Sequence, residues 1–142
     1  MGFTKSYATT ILSNVFKSGN TIALLTAVNT ASDTYTKCSG AGYKDYTIQA
    51  GDFTTTNGIT TTARNILYGL AEDAWGTCVG IGVFSGGSLL YLAALSESKV
   101  IGKDTVPVFR AYAEASGSTP QKGLKITLDV VTSGTMSVND PS

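Results

Sequence analysis

Two apolar runs, Cys78–Phe84 and Leu89–Leu95, flank the tetrad Ser85-Gly86-Gly87-Ser88. Runs of this length bounded by glycine predict two antiparallel strands joined by a tight turn. A Gly-Gly centre supplies the positive φ angles that hairpin turns need, because glycine has no Cβ to clash. Val79, Ile81 and Val83 fall on one face of the first strand, and Cys78, Gly80, Gly82 and Phe84 on the other. The second strand sets Leu89, Tyr91, Ala93 and Leu95 against Leu90, Leu92 and Ala94. Both faces are largely apolar, so the hairpin reads as the buried centre of the fold. Its expected core-packing residues are Trp75, Ile81, Val83, Leu90, Tyr91 and Leu92.

Upstream, Ser6–Lys17 predicts a helix. Tyr7, Ile11 and Val15 repeat every four residues beside Ala8, Leu12 and Phe16, Ser6 or Thr4 can cap its start, and Gly19 supplies a left-handed stop. The stripe either covers the chain's own sheet or, through Tyr7, Ile11 and Val15, docks on a neighbouring subunit. Thr21–Val28 reads as a buried strand with Ile22, Leu24, Thr26 and Val28 on one side, and Asn29–Gly42 as a long polar loop. Tyr43–Gln49 alternates as a strand, and Asn57-Gly58 marks a turn. Ile59–Leu70 reads as one or two short strands burying Ile66, Leu67 and Tyr68. Beyond the hairpin come a turn-rich connection over Ser96–Asp104, a short strand over Val106–Ala111, and a loop over Glu114–Lys122. Leu124–Val131 alternates cleanly, which predicts one face in the core and one in solvent.

About seven short strands at spacings of about ten residues, with one short N-terminal helix, predict a mainly β fold of β-sandwich or jelly-roll-like type. Residues 1–131 are expected to form a single β domain and residues 132–142, which lack a core pattern, a flexible C-terminal tail.

The 142 residues suffice to bury a real core. Ten basic and ten acidic residues cancel, which argues against the clustered basic surface that nucleic acid or an anionic membrane requires. No run approaches the length of a membrane span, and the polar first turns lack a secretory h-region. Cys38 and Cys78 lack metal-site spacing and the chain has no histidine, so two free thiols and assembly in a reducing cytoplasm are expected.

Without histidine, the commonest general base is missing. Asp45, Asp52, Glu72, Asp73 and Asp104 sit in turn-like segments and read as solvated turn residues. Glu72-Asp73 lacks the spacing of a calcium loop. The glycines at 76, 80 and 82 lie inside a strand followed by another strand, not at a helix N-terminus, so no phosphate loop is implied. In-strand glycines instead permit a close approach, expected here against Trp75 or Tyr91. No catalytic residue, metal ligand or cofactor is expected.

The order of segments is more informative than any one of them. ILSNVFKSG and an ALLT strand are followed by GAGYKDYTI, GDFT with Asn57-Gly58, WGT, IGVF, GGSLLYLAAL, GKDTVPVF and a closing LKITLD. This order resembles the small structural proteins of tailed bacteriophages labelled phage tail fibre proteins, whose relatives include capsid decoration and cement subunits. The chain departs from that pattern at Lys44, after the Gly-Tyr pair, and in a longer insert over Ala111–Lys122. The resemblance implies a non-enzymatic structural subunit of a virion, in a tail-fibre appendage or on the capsid. The low charge and the apolar stripe of Tyr7, Ile11 and Val15 beside Leu12 and Phe16 predict a homo-oligomer. The resemblance adds that it is a trimer among other virion proteins. The balanced charge predicts neither nucleic acid nor membrane as a partner. The alternative is a binding module that presents loops to a host glycan or protein.

Overall fold

The computed structural model describes residues 4–114, 116–118, 121–127, 131–135 and 137–139. Helix α1 spans Lys5–Val15. Thr4 caps it, its hydroxyl accepting from Tyr7 N at 3.1 Å. At the far end the buried Asn20 donates its side-chain amide to Val15 O at 2.9 Å and Asn14 O at 3.3 Å. That satisfies carbonyls the helix leaves without a partner.

Among the described residues the rest of the fold is twelve strands in three antiparallel sheets. The first sheet runs β2 (Thr34–Lys37), β1 (Thr21–Asn29), β7 (Gly76–Ser85), β8 (Ser88–Ile101), with β3 (Tyr46–Thr47) also on β1. The second runs β11 (Val131–Thr135), β10 (Gly123–Ile126), β5 (Ile59–Thr62), β4 (Phe53–Thr56). The third runs β12 (Ser137–Asn139), β9 (Val106–Phe109), β6 (Ile66–Leu67). Helix and sheets turn toward one apolar cluster that joins Leu12 and Phe16 to Ile22, Leu24, Ile66, Trp75, Ile81, Val83, Phe109, Leu124 and Ile126. The architecture is mainly β and sandwich-like, with one short helix.

The central hairpin forms as expected, turning at Gly86 and Gly87 with φ of 55° and 89°. Its registry differs. The β7–β8 pairing shifts between Val83 and Phe84, so that Val83 faces Tyr91 and Phe84 faces Leu89. The extra residue is Leu90, which stands 45% exposed instead of in the core. A second irregularity, between Leu25 and Ala27 in the β1–β2 pairing, separates Ile22 and Leu24 in the main cluster from Val28. Val28 packs on the opposite face with Ala23 and Leu25. A bulge moves every later side chain to the other face, which a strict alternation cannot anticipate.

Other boundaries move too. The expected loop at 29–42 contains β2, and the expected connection after Leu95 is a continuation of β8 to Ile101. Tyr43–Gln49 yields just the two residues of β3. Leu67, expected inside, is 58% exposed, while Ile66 and Tyr68 are buried. Of the expected tail, residues 132–135 and 137–139 pair as strands with β10 and β9. Residues 136 and 140–142, and the expected strand positions Leu128 and Val130, lie outside the described residues.

Candidate functional site

The outward face of the first sheet carries its own small apolar cluster of Ala23, Leu25 and Phe84, with Val28, Leu89 and Leu92 packed on it. Two glycines make room for it. A Cβ on Gly80 would lie 2.9 Å from Val28 Cγ1, and one on Gly82 would lie 3.1 Å from the Phe84 ring. The expected neighbours of these glycines, Trp75 and Tyr91, are not the groups that fill the space. Phe84 is in turn covered by β2. Tyr35 meets it edge-on at 5.5 Å, and Lys37 Nζ sits 4.7 Å from its ring centroid. Beside this cluster runs a shallow groove lined by Ala27, Val28, Asn29, Thr34, Tyr35 and Thr36.

Lys37 links this face to the loop that follows it. Its ammonium pairs with Asp45 Oδ2 at 2.7 Å, and Tyr43 OH donates to Asp45 Oδ1 at 2.7 Å while accepting from Leu24 N at 2.9 Å. Burial and the bond to Asp45 push the Tyr43 phenol up, so it stays protonated and keeps donating. The Tyr43 ring stands edge-on to Trp75 at 5.1 Å, and Trp75 Nε1 donates to Ala41 O at 3.0 Å. Asp45 and Trp75 therefore pin the same loop from opposite ends.

A second carboxylate does similar work. Asp52, expected in solvent, is 1% exposed. It accepts from Tyr46 OH at 2.7 Å, Gln49 N at 2.8 Å and Arg64 Nε at 2.6 Å. Burial and the bond to Asp52 push Tyr46 up to about 12. These three bonds hold loop 47–52 to the end of β5 and give the buried carboxylate internal partners on both oxygens. The sequence signal missed here is the Tyr46-x-x-Gln49-x-x-Asp52 spacing, which brings three groups of one turn together with Arg64.

The residues expected to carry packing divide. Trp75, Ile81 and Val83 are buried in the main cluster. Tyr91 packs against it with its hydroxyl on Thr127 O at 3.0 Å, whereas Leu92 belongs to the outward cluster. Of the three helix residues considered for a subunit contact, Val15 is spent in the chain's own core and Ile11 packs against it, while Tyr7 is 55% exposed. The helical period explains this: the i, i+4 row spirals, so Tyr7 leaves the face that Val15 buries. No group of three or more His, Cys, Asp or Glu residues that could hold a metal ion occurs among the described residues.

Cys38, expected in a polar loop, is instead buried beside Cys78, and both are free thiols. Cys38 N donates to Leu24 O at 2.8 Å, and Cys78 Sγ contacts Gly80 O at 3.4 Å. A hydrogen bond to Cys78, together with burial, pushes the Cys38 thiol up and keeps it protonated. A thiol-directed alkylating reagent is therefore expected to leave the native protein unlabelled and to modify both cysteines in denaturant. Labelling of either thiol in the native protein contradicts this packing.

The fold is mainly β and sandwich-like, and its charged side chains at Asp45 and Asp52 fasten loops. A comparison with family models supplies the particular family. The model described as podophage GP4 fiber I protein gp80 matches residues 6–115, and the chain belongs to that family. It is a phage fibre protein, a component of the virion, in keeping with the resemblance in segment order. No curated protein and no solved structure gave a significant match. The family match ends within the connection between β9 and β10, so β10, β11 and β12 fall outside it.

Proposed function

We propose that the protein is a non-enzymatic building subunit of a podophage fibre that associates with copies of itself as a trimer and with other virion proteins. The family match over residues 6–115 carries this reading. The surface supports it. Tyr7, Tyr35, Leu67, Leu70, Leu90 and Val100 are large apolar side chains more than a third exposed, on a chain whose formal net charge is zero. Isolated soluble monomers ordinarily rely on surface charge, and apolar residues gather at the centres of subunit contacts. The polar networks around Asp45 and Asp52 fit a scaffold, since each carboxylate fastens a loop through internal partners. The reading places the subunit in the fibre and not among capsid decoration proteins, with assembly in the host cytoplasm.

Light scattering on the purified protein is expected to give three times the subunit mass. In the virion, neighbouring copies should bury at least about 1,000 Å² per contact. A monomer in solution that also makes no such contact in the particle would overturn the proposal.

A further inference from the structure

The β4–β5 hairpin turns on Asn57 and Gly58, with φ of 53° and 78°. Positive values at both positions are what a two-residue turn of the I′ kind requires. Pairing closes on the turn at Thr56 opposite Ile59, and Asn57 is exposed. An asparagine followed by glycine is chemically the pair most open to cyclisation, because no side chain on the second residue hinders attack. The Gly58 nitrogen bonds to Asn57 Cγ and gives up its proton; the Cγ–Nδ2 bond breaks and the side-chain nitrogen leaves as ammonia. Water then opens the five-membered imide at one carbonyl or the other. The products are aspartate and isoaspartate, the latter with the main chain routed through the side chain.

That reaction needs the Gly58 nitrogen to lose its proton and swing toward Cγ. Here the N–H is engaged, donating to Thr9 Oγ1 of α1 at 2.7 Å, while the Thr9 hydroxyl donates to Lys5 O at 2.8 Å. The helix also lies against the turn: a Cβ on Gly58 would be 3.3 Å from Ala8 Cβ and 3.7 Å from Lys5 O. We propose that Asn57-Gly58 is a deamidation site kept latent by the docking of α1, with Thr9 as the positioning residue that holds the nucleophilic amide out of reach. Lifting of the helix releases the amide. Conversion then places a carboxylate in the turn and, in the isoaspartyl form, an extra main-chain atom that the I′ geometry has no room for. The change is one-way, so it leaves a covalent record of helix opening.

The test follows Asn57 by peptide mass spectrometry during incubation at mildly alkaline pH. The folded parent should convert more slowly than the same chain in denaturant. Thr9→Val keeps the side-chain shape but removes the acceptor, and should speed conversion in the folded state by roughly three- to tenfold, the factor one net hydrogen bond is worth. Thr9→Ser restores the hydroxyl and should return the parental rate. Hydrogen exchange on the unaltered protein gives an independent reading, with the Gly58 amide expected to be protected. Equal rates for folded parent and Thr9→Val, or a Gly58 amide that exchanges as freely as in the denatured chain, would overturn the proposal.

Discussion

Trp75→Ala should lower the unfolding free energy by about 3–5 kcal/mol, the range for removing a large buried aromatic side chain. The indole is 2% exposed and does more than fill space. It bonds Ala41 O, stands edge-on to Tyr43, and occupies the position beside Gly40 where a Cβ would come within 2.7 Å of Cδ1. Its removal opens a cavity and frees the loop that carries Asp45 together with Tyr43. Leu90→Ala, at the exposed bulge, should cost no more than about 0.5 kcal/mol, the usual scale for surface substitutions. Denaturant melts of the two variants against the parent measure both. If the two fell equally, the assignment of Leu90 to the surface and Trp75 to the core would be wrong.

Asp52→Ala should cost about 2–4 kcal/mol, because it strands the Tyr46 hydroxyl and the Gln49 amide near a buried position. Arg64 is half exposed and recovers hydration, so its share of the loss is small. The effect carries a pH signature. Burial pushes the Asp52 carboxyl up, but the bonds from Tyr46, Gln49 and Arg64 outweigh it and hold the group below its ordinary value of 3.8. A carboxylate depressed in the folded state contributes stability above its unfolded pKa and loses that contribution as pH falls through the folded one. The parent should therefore exceed Asp52→Ala in stability at neutral pH, and the gap should narrow as pH drops below about 3.8. A gap that stayed constant into acid would assign the effect to side-chain volume and not to charge.

The hairpin, the helix and the turn at Asn57-Gly58 were legible because each is a local matter. Apolar run length, the i, i+4 row and paired glycines act within a few residues. What stayed hidden depends on pairing across the chain. Leu90 leaves the core because β8 slips by one residue against β7, and Val28 changes faces through an irregularity opposite β2. Asp52 looked like any turn aspartate until Arg64, twelve residues on, closed over it. The buried position of Cys38 follows from its main-chain bond to Leu24, and no composition rule for polar loops contains that contact. That the chain is a phage fibre protein was readable from the order of its motifs, where no single motif was specific, whereas nothing in the match speaks to a relation with capsid decoration proteins.

The place of β10 has a consequence for how the subunit is made. It lies between β5 and β11, contributes the fully buried Leu124 and Ile126, and pairs Lys125 with Thr61. Synthesis delivers β5 long before β10, so during translation one edge of β5 waits without its partner while the apolar cluster lacks two of its members. Contacts of such long sequence separation form late, and waiting edges are where nascent chains pair with the wrong strand. β10 is thus a late-made segment that joins this sheet, and a chain cut before Gly123 keeps the whole central hairpin while its core lacks Leu124 and Ile126.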